Sequence, residues 1–218
     1  MVLPFILLQS AILAGEIPLE TNETTGQSQT VSIMENIVFA ELARATPATF
    51  DGWSRNSSDE VRQRVSLALG RLANRESLTL LTLLMTDESV HVREEAAFAM
   101  AITPEARAHI LTALESEVSP TVRGQLLASL GRHIEPDDIP TALEGLYGER
   151  LEMIGGITAL GLAGRAQTEG VDSSVVTTPL AELVVGVDLD VARLSAWALS
   201  QIRPTSFAPE TETELWTV

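Results

Sequence analysis

Fourteen arginines, no lysine, three histidines and no cysteine set narrow limits on the chemistry open to this 218-residue chain. Without lysine there is no phosphate-loop ammonium, no Schiff base and no lysine general base. The absence of cysteine removes disulfides, thiolate nucleophiles and cysteine-rich zinc or iron–sulfur centres. His91, His109 and His133 stand at unrelated points of the sequence and read as solvated surface histidines rather than a three-histidine metal site. His133, Glu135, Asp137 and Asp138 do offer metal-ligand types close together. They bridge the end of one apolar segment and the start of the next, however, where carboxylates serve as helix caps. Asp188 and Asp190 have the spacing of a paired acid and base, but they enter the last helical segment and are again better read as capping. No Ser-His-Asp elbow, GxGxxG turn or HExxH helix occurs. The sequence therefore points to no catalytic residue, no metal site and no cofactor.

The remaining chemistry lies in arginines. Arg62, Arg93 and Arg123 each follow a valine, and six residues before them stand Asn56, Asp87 and Glu117. A row of guanidinium groups could receive an acidic or phosphorylated partner, because each presents a planar fork of donors. The competing reading is an internal one, in which the turn carboxylates take up the arginines. Trp53, in the first outer segment, is the candidate partner anchor, since a partly exposed tryptophan supplies a large apolar contact. Trp197 occupies the position held elsewhere by Leu67, Phe98, Ala128 and Thr158 and reads as core.

These residues need a repeating framework, and the sequence contains one. Five ten-residue segments align without gaps: VRQRVSLALG from Val61, VREEAAFAMA from Val92, VRGQLLASLG from Val122, EMIGGITALG from Glu152 and VARLSAWALS from Val191. Their starts are 31, 30, 30 and 39 residues apart. Apolar or small residues recur three and four apart, the period of an amphipathic helix. The small last position (Gly70, Ala101, Gly131, Gly161, Ser200) suggests a tight helix exit. Between these inner helices lie second apolar segments from Glu76, Pro104, Pro136 and Thr178, opened by proline or acids as helix starts are. The unit is a helical hairpin of about 30 residues, and the longer interval predicts a surface loop near 165–176.

A period of this length with these Val-Arg helices resembles HEAT repeats of the short bacterial kind also found in phycobilin-lyase-like proteins. In that family the turn acid and the arginine six residues later form a ladder between neighbouring repeats. The resemblance implies this role for Asp87 with Arg93 and Glu117 with Arg123, with Asn56 standing in before Arg62. The fourth and fifth units depart from the pattern: Met153 and Ala192 replace the arginine, and Tyr147 and Gly186 replace the acid, which interrupts the ladder there. Upstream, IMENIVFAELARATPATFDGWSRN is similar to the opening of bacterial proteins in which such repeats accompany a cyclophilin-type peptidyl-prolyl isomerase domain.

The expected fold class is all-α: a right-handed solenoid of about five HEAT-like hairpins over residues 31–204, opened by a partial helix from Val31 to Ala45. Residues 1–30 read as an export signal and leader. Met1–Ala14 is an apolar run too short to span a bilayer, although no basic residue precedes it and a buried first helix is the alternative. The apolar run favours an exported or periplasmic location over the cytoplasm, and the use of arginine without lysine together with the acidic excess suggests a GC-rich bacterial source. Residues 205–218 form an acidic tail or linker, whose Leu215 and Trp216 could cover the last helix. A formal charge of −16 repels phosphate backbones and excludes nucleic acid as a partner. Together these features predict a non-catalytic protein-binding scaffold that uses the concave face of the solenoid, with self-association through an uncapped end also open. The resemblance supplies two alternatives: an accessory or N-terminal region of a peptidyl-prolyl isomerase system, and, more remotely, a bilin lyase-like activity.

Overall fold

Alternation of short outer and longer inner apolar segments produces an all-helical chain. A computed structural model describes residues 26–202. The apolar run Met1–Ala14 and the acidic tail with Leu215 and Trp216 lie outside the described residues. Eleven α-helices follow one another: α1 Gly26–Leu42, α2 Asp51–Ser54, α3 Asp59–Leu72, α4 Leu78–Leu84, α5 Val90–Met100, α6 Arg107–Ser116, α7 Pro120–Leu130, α8 Ile139–Gly145, α9 Arg150–Ala166, α10 Ser174–Val184 and α11 Leu189–Gln201. Short 3-10 turns lead into α2, α4 and α8. The described residues contain no strand. None of their helices is long and apolar enough to cross a membrane.

The chain divides into two units, the first ending at Ala113 and the second beginning at Leu114. Within the first, α3 packs on α1 and α5, while α2 and α4 cover the other side. Phe50, Ile37, Leu69, Leu81, Leu84 and Met100 are fully buried between them. Within the second, α9 is central and packs on α7, α8 and α11, with α10 against α11. Leu126, Leu130, Ile157, Leu160, Val176 and Leu180 are buried there. The inner helices α3, α5, α7, α9 and α11 contain the five aligned segments. Each unit is thus a stack of helical hairpins, whose continuous core arises because no hairpin can bury both of its faces alone.

The small residues at the ends of the aligned segments have a different cause from the one expected. Gly70 and Gly161 are interior to α3 and α9 and have no left-handed backbone. A Cβ on Gly70 would lie 2.8 Å from the Ala99 Cβ on α5, and one on Gly161 would meet the Trp197 ring. Small side chains at this row let consecutive inner helices approach closely. The actual left-handed exits are Ala73 after α3 and Gln167 after α9, with φ of 48° and 58°.

Three boundaries also shift. Helix α1 begins at Gly26 rather than Val31, so residues 26–30, expected in the leader, are helical. Helix α10 starts at Ser174, placing Pro179 inside the helix instead of at its entrance. The loop of the long interval runs from Gln167 to Ser173 and is anchored rather than wholly superficial, because Val171 is buried.

Candidate functional site

Each Val-Arg arginine reaches back along its own hairpin to the backbone carbonyl six residues earlier. Arg62 Nη1 donates to Asn56 O at 2.7 Å, Arg93 Nη1 to Asp87 O at 2.8 Å and Arg123 Nη1 to Glu117 O at 3.2 Å. The spacing seen in the sequence therefore reflects a turn carbonyl, while the turn side chain serves elsewhere. Asp87 accepts two bonds from the preceding repeat's Arg62, at 2.6 Å from Nε and 2.8 Å from Nη2. Its Oδ1 also accepts the Ser89 amide at 2.9 Å. Arg62 and Asp87 are about nine-tenths buried, so neither can greet a partner. Asn56 has no earlier arginine to serve, and its Oδ1 accepts the Ser58 amide at 2.9 Å.

In the second unit the same connection uses different residues. Glu117 Oε1 accepts the Val118 and Ser119 amides at 3.0 and 2.9 Å. Arg123 pairs with Glu152, whose other oxygen accepts the Glu149 amide at 2.9 Å. Arg150 then pairs with Asp188 at 2.6 Å and Asp190 at 3.0 Å. The expected interruption at Tyr147 and Met153 is therefore bridged by an acid moved into α9 and an arginine moved to its first turn. Sequence reasoning missed Glu152 and Arg150 because it looked for them at fixed positions of the repeat. Asp188 also caps α11, accepting from the Asp190 and Val191 amides; the Arg150 guanidinium and those amides hold its carboxyl below the usual range.

Other sequence candidates are placed as follows. Trp53 is buried, 9% exposed, with its ring edge-on to Phe50 at 5.7 Å, so it cannot act as the exposed partner anchor. The short α2 presses it inward, and a lone tryptophan carries no period from which that could be read. The Glu135 amide donates to Asp138 Oδ2 at 2.9 Å, fixing the turn before α8. Among the described residues, no group of three or more His, Asp and Glu side chains is placed to hold a metal ion. His109 shares a 2.9 Å hydrogen bond with Thr82, and His91 is exposed.

The solvent face of α3 and α5 carries what the sequence did not single out. Glu41 of α1 receives Arg64 and also Arg71, the latter at 3.1 Å. On α5, one turn from each other, lie Glu95 and Phe98, and Phe98 is 47% exposed although its row was expected to be core. Burial pushes the Glu95 carboxyl up, neighbouring Glu94 adds to this, and Arg71, Arg64 and Gln63 only partly oppose it. Because its folded value lies above its unfolded one, ionised Glu95 costs stability, and that cost is complete above the folded value. Glu95→Gln should therefore raise the melting temperature at pH 7 and lose this advantage in acid. Solvent screening limits the gain to about 1 kcal/mol or less. Melting curves at pH 7 and pH 4 that move in parallel would contradict it.

Within each unit, inner helices meet through small residues and arginines tie one hairpin to another. Residues 46–131 match the family model for HEAT repeats. Over these residues the chain carries HEAT repeats. No curated protein matches the chain. HEAT repeats commonly act as protein-interaction scaffolds and are typically non-enzymatic.

Proposed function

We propose that this HEAT-repeat chain is a non-catalytic scaffold that binds an extended segment of another protein on the face lined by its inner helices, the concave face of such a solenoid. The observation that carries the reading is the exposed Phe98, with half-buried Leu67 in the same row of the neighbouring helix. Around them, Arg64, Arg71 and Glu41 are already paired with one another and so frame the apolar centre without competing for a partner. An aromatic anchor framed by ion-paired side chains is the arrangement of a binding hot spot. The arginines of the turns contribute by holding the hairpins in register.

Phe98→Ser tests this. The side chain is half exposed, so helical content should be unchanged, while recovery of specific proteins on the tagged full-length chain should fall about tenfold or more. Equal recovery with both forms would move the contact elsewhere, and the absence of any specific protein would remove the support for a scaffold.

A further inference from the structure

The second unit has a distinct surface at the edge where its outer helices turn into its inner ones. Gly124 of α7 faces Leu151 and Glu152 of α9, while Gly131, just past the end of α7, faces Ala159. Likewise Arg150 meets Asp188 at the start of α11, and Gly164, near the end of α9, faces Ile202 beyond the end of α11. The three inner helices are thus parallel, and their entrances share one edge. At that edge the three turns repeat a short pattern, Glu-x-x-apolar: Glu115 before Val118, Glu144 before Tyr147 and Glu182 before Val185. Val118 is 85%, Tyr147 77% and Val185 85% exposed, and Val187 is fully exposed beside them. All three glutamates are exposed, and none forms an ion pair with another described residue. The arginines at this edge, Arg123 and Arg150, are held by Glu152, Asp188 and Asp190.

We propose that this row of turns is a docking edge for an extended, basic polypeptide segment whose apolar side chains recur about every third residue. Packed helices lie about 8–10 Å apart, and a chain extended in the polyproline II conformation advances about 3.1 Å per residue with three residues per turn, so that every third side chain falls on one face. Every third side chain of such a segment therefore meets one turn. Turn tips ordinarily favour small polar residues, so apolar side chains repeated at three successive tips form a line rather than scattered exposure. Charge selects the occupant. Residues 114–202 carry thirteen carboxylates against five arginines, and Glu115, Glu144 and Glu182 have no cation among the described residues, so arginine or lysine on the segment would supply it. This acidic rim disfavours an anionic membrane. The proposal rests on the protein-binding reading but uses a surface other than the Phe98 face.

The probe is a fluorescein-labelled ten-residue peptide of repeating Arg-Arg-Leu, titrated with the full chain and followed by anisotropy. Saturable binding is expected, weakened at least tenfold by the triple substitution Tyr147→Ser, Val185→Ser and Val187→Ser, which leaves every charge in place. Replacing the leucines of the peptide by serine should have a similar effect, and Phe98→Ser should leave binding unchanged. Equal binding by the triple variant would reduce the interaction to bulk charge and overturn the proposal, as would the lack of saturable binding. A wild-type dimer dissolved by the triple substitution would assign the edge to self-association instead. Loss of binding in Phe98→Ser alone would sink the edge while leaving the inner face as the binding surface.

Discussion

Arg62→Ala is expected to destabilise the protein by about 3–5 kcal/mol at pH 7, because it leaves the Asp87 carboxylate buried without its cation. Arg62 binds two carboxylate oxygens of the next turn and two carbonyls of its own, Asn56 and Ser57. Removing it unties adjacent repeats and takes a donor from four acceptors at once, of which Asp87 Oδ1 keeps the Ser89 amide. Burial pushes the Asp87 carboxyl up, yet hydrogen bonds from Arg62 and the Ser89 amide, with the charges of Arg62 and Arg93, hold it below its ordinary value of 3.8. In the wild type this stabilisation is complete above the unfolded-state value and is lost as pH falls through the lower folded one. In the variant, burial acts with far less opposition, so protonation relieves the unpaired charge. The deficit should therefore shrink between pH 7 and about pH 4. Urea unfolding followed by circular dichroism at both pH values measures it. Arg55→Ala, which removes an exposed pair with Asp51, should cost less than about 1 kcal/mol. A similar small loss for Arg62→Ala, or a deficit independent of pH, would show that the buried pair does not couple the repeats.

What could be read in advance follows from how each feature is encoded. The inner helices were legible because five segments repeat the same apolar period, and a stack is the arrangement that buries all of them. Outer helices were less so. The proline rule placed the start of α10 near Thr178, but the residues from Ser174 onward bury Val176 and carry the helix through Pro179. The arginine spacing was visible, whereas its meaning depended on an atom: a carbonyl six residues back leaves no mark on residue type. Glu152 and Arg150 were missed because charge complementarity had moved along the chain while the geometry was kept. Trp53 and Phe98 exchanged roles for a related reason. Phe98 shares a position with Leu67 and Trp197, and apolar identity alone does not say whether that row faces the core or solvent.

Gly155→Ala should cost about 3 kcal/mol or more, against the ordinary advantage of alanine in a helix. Gly155 is buried in the middle of α9, and a methyl group there would lie 2.9 Å from Gly124 Cα and 2.8 Å from its carbonyl carbon, with the carbonyl oxygen closer still. The collision is reciprocal, since a Cβ on Gly124 would stand 2.6 Å from the Leu151 carbonyl carbon. Both obstacles are backbone, so no rotamer change relieves them and the helices must separate. Separation would stretch the Arg123–Glu152 pair, which lies less than one helical turn away. Gly52→Ala provides the contrast: nothing lies within 4 Å of the added group, and a gain of up to about 1 kcal/mol is expected from the chain entropy alone. If denaturation gives the two substitutions the same sign, the small residues of α7 and α9 do not set the distance between repeats. Should Gly155→Ala unfold early while Gly52→Ala is stabilised, the spacing of the turns that carry Val118 and Tyr147 is fixed by glycine contacts one helical turn inside the edge.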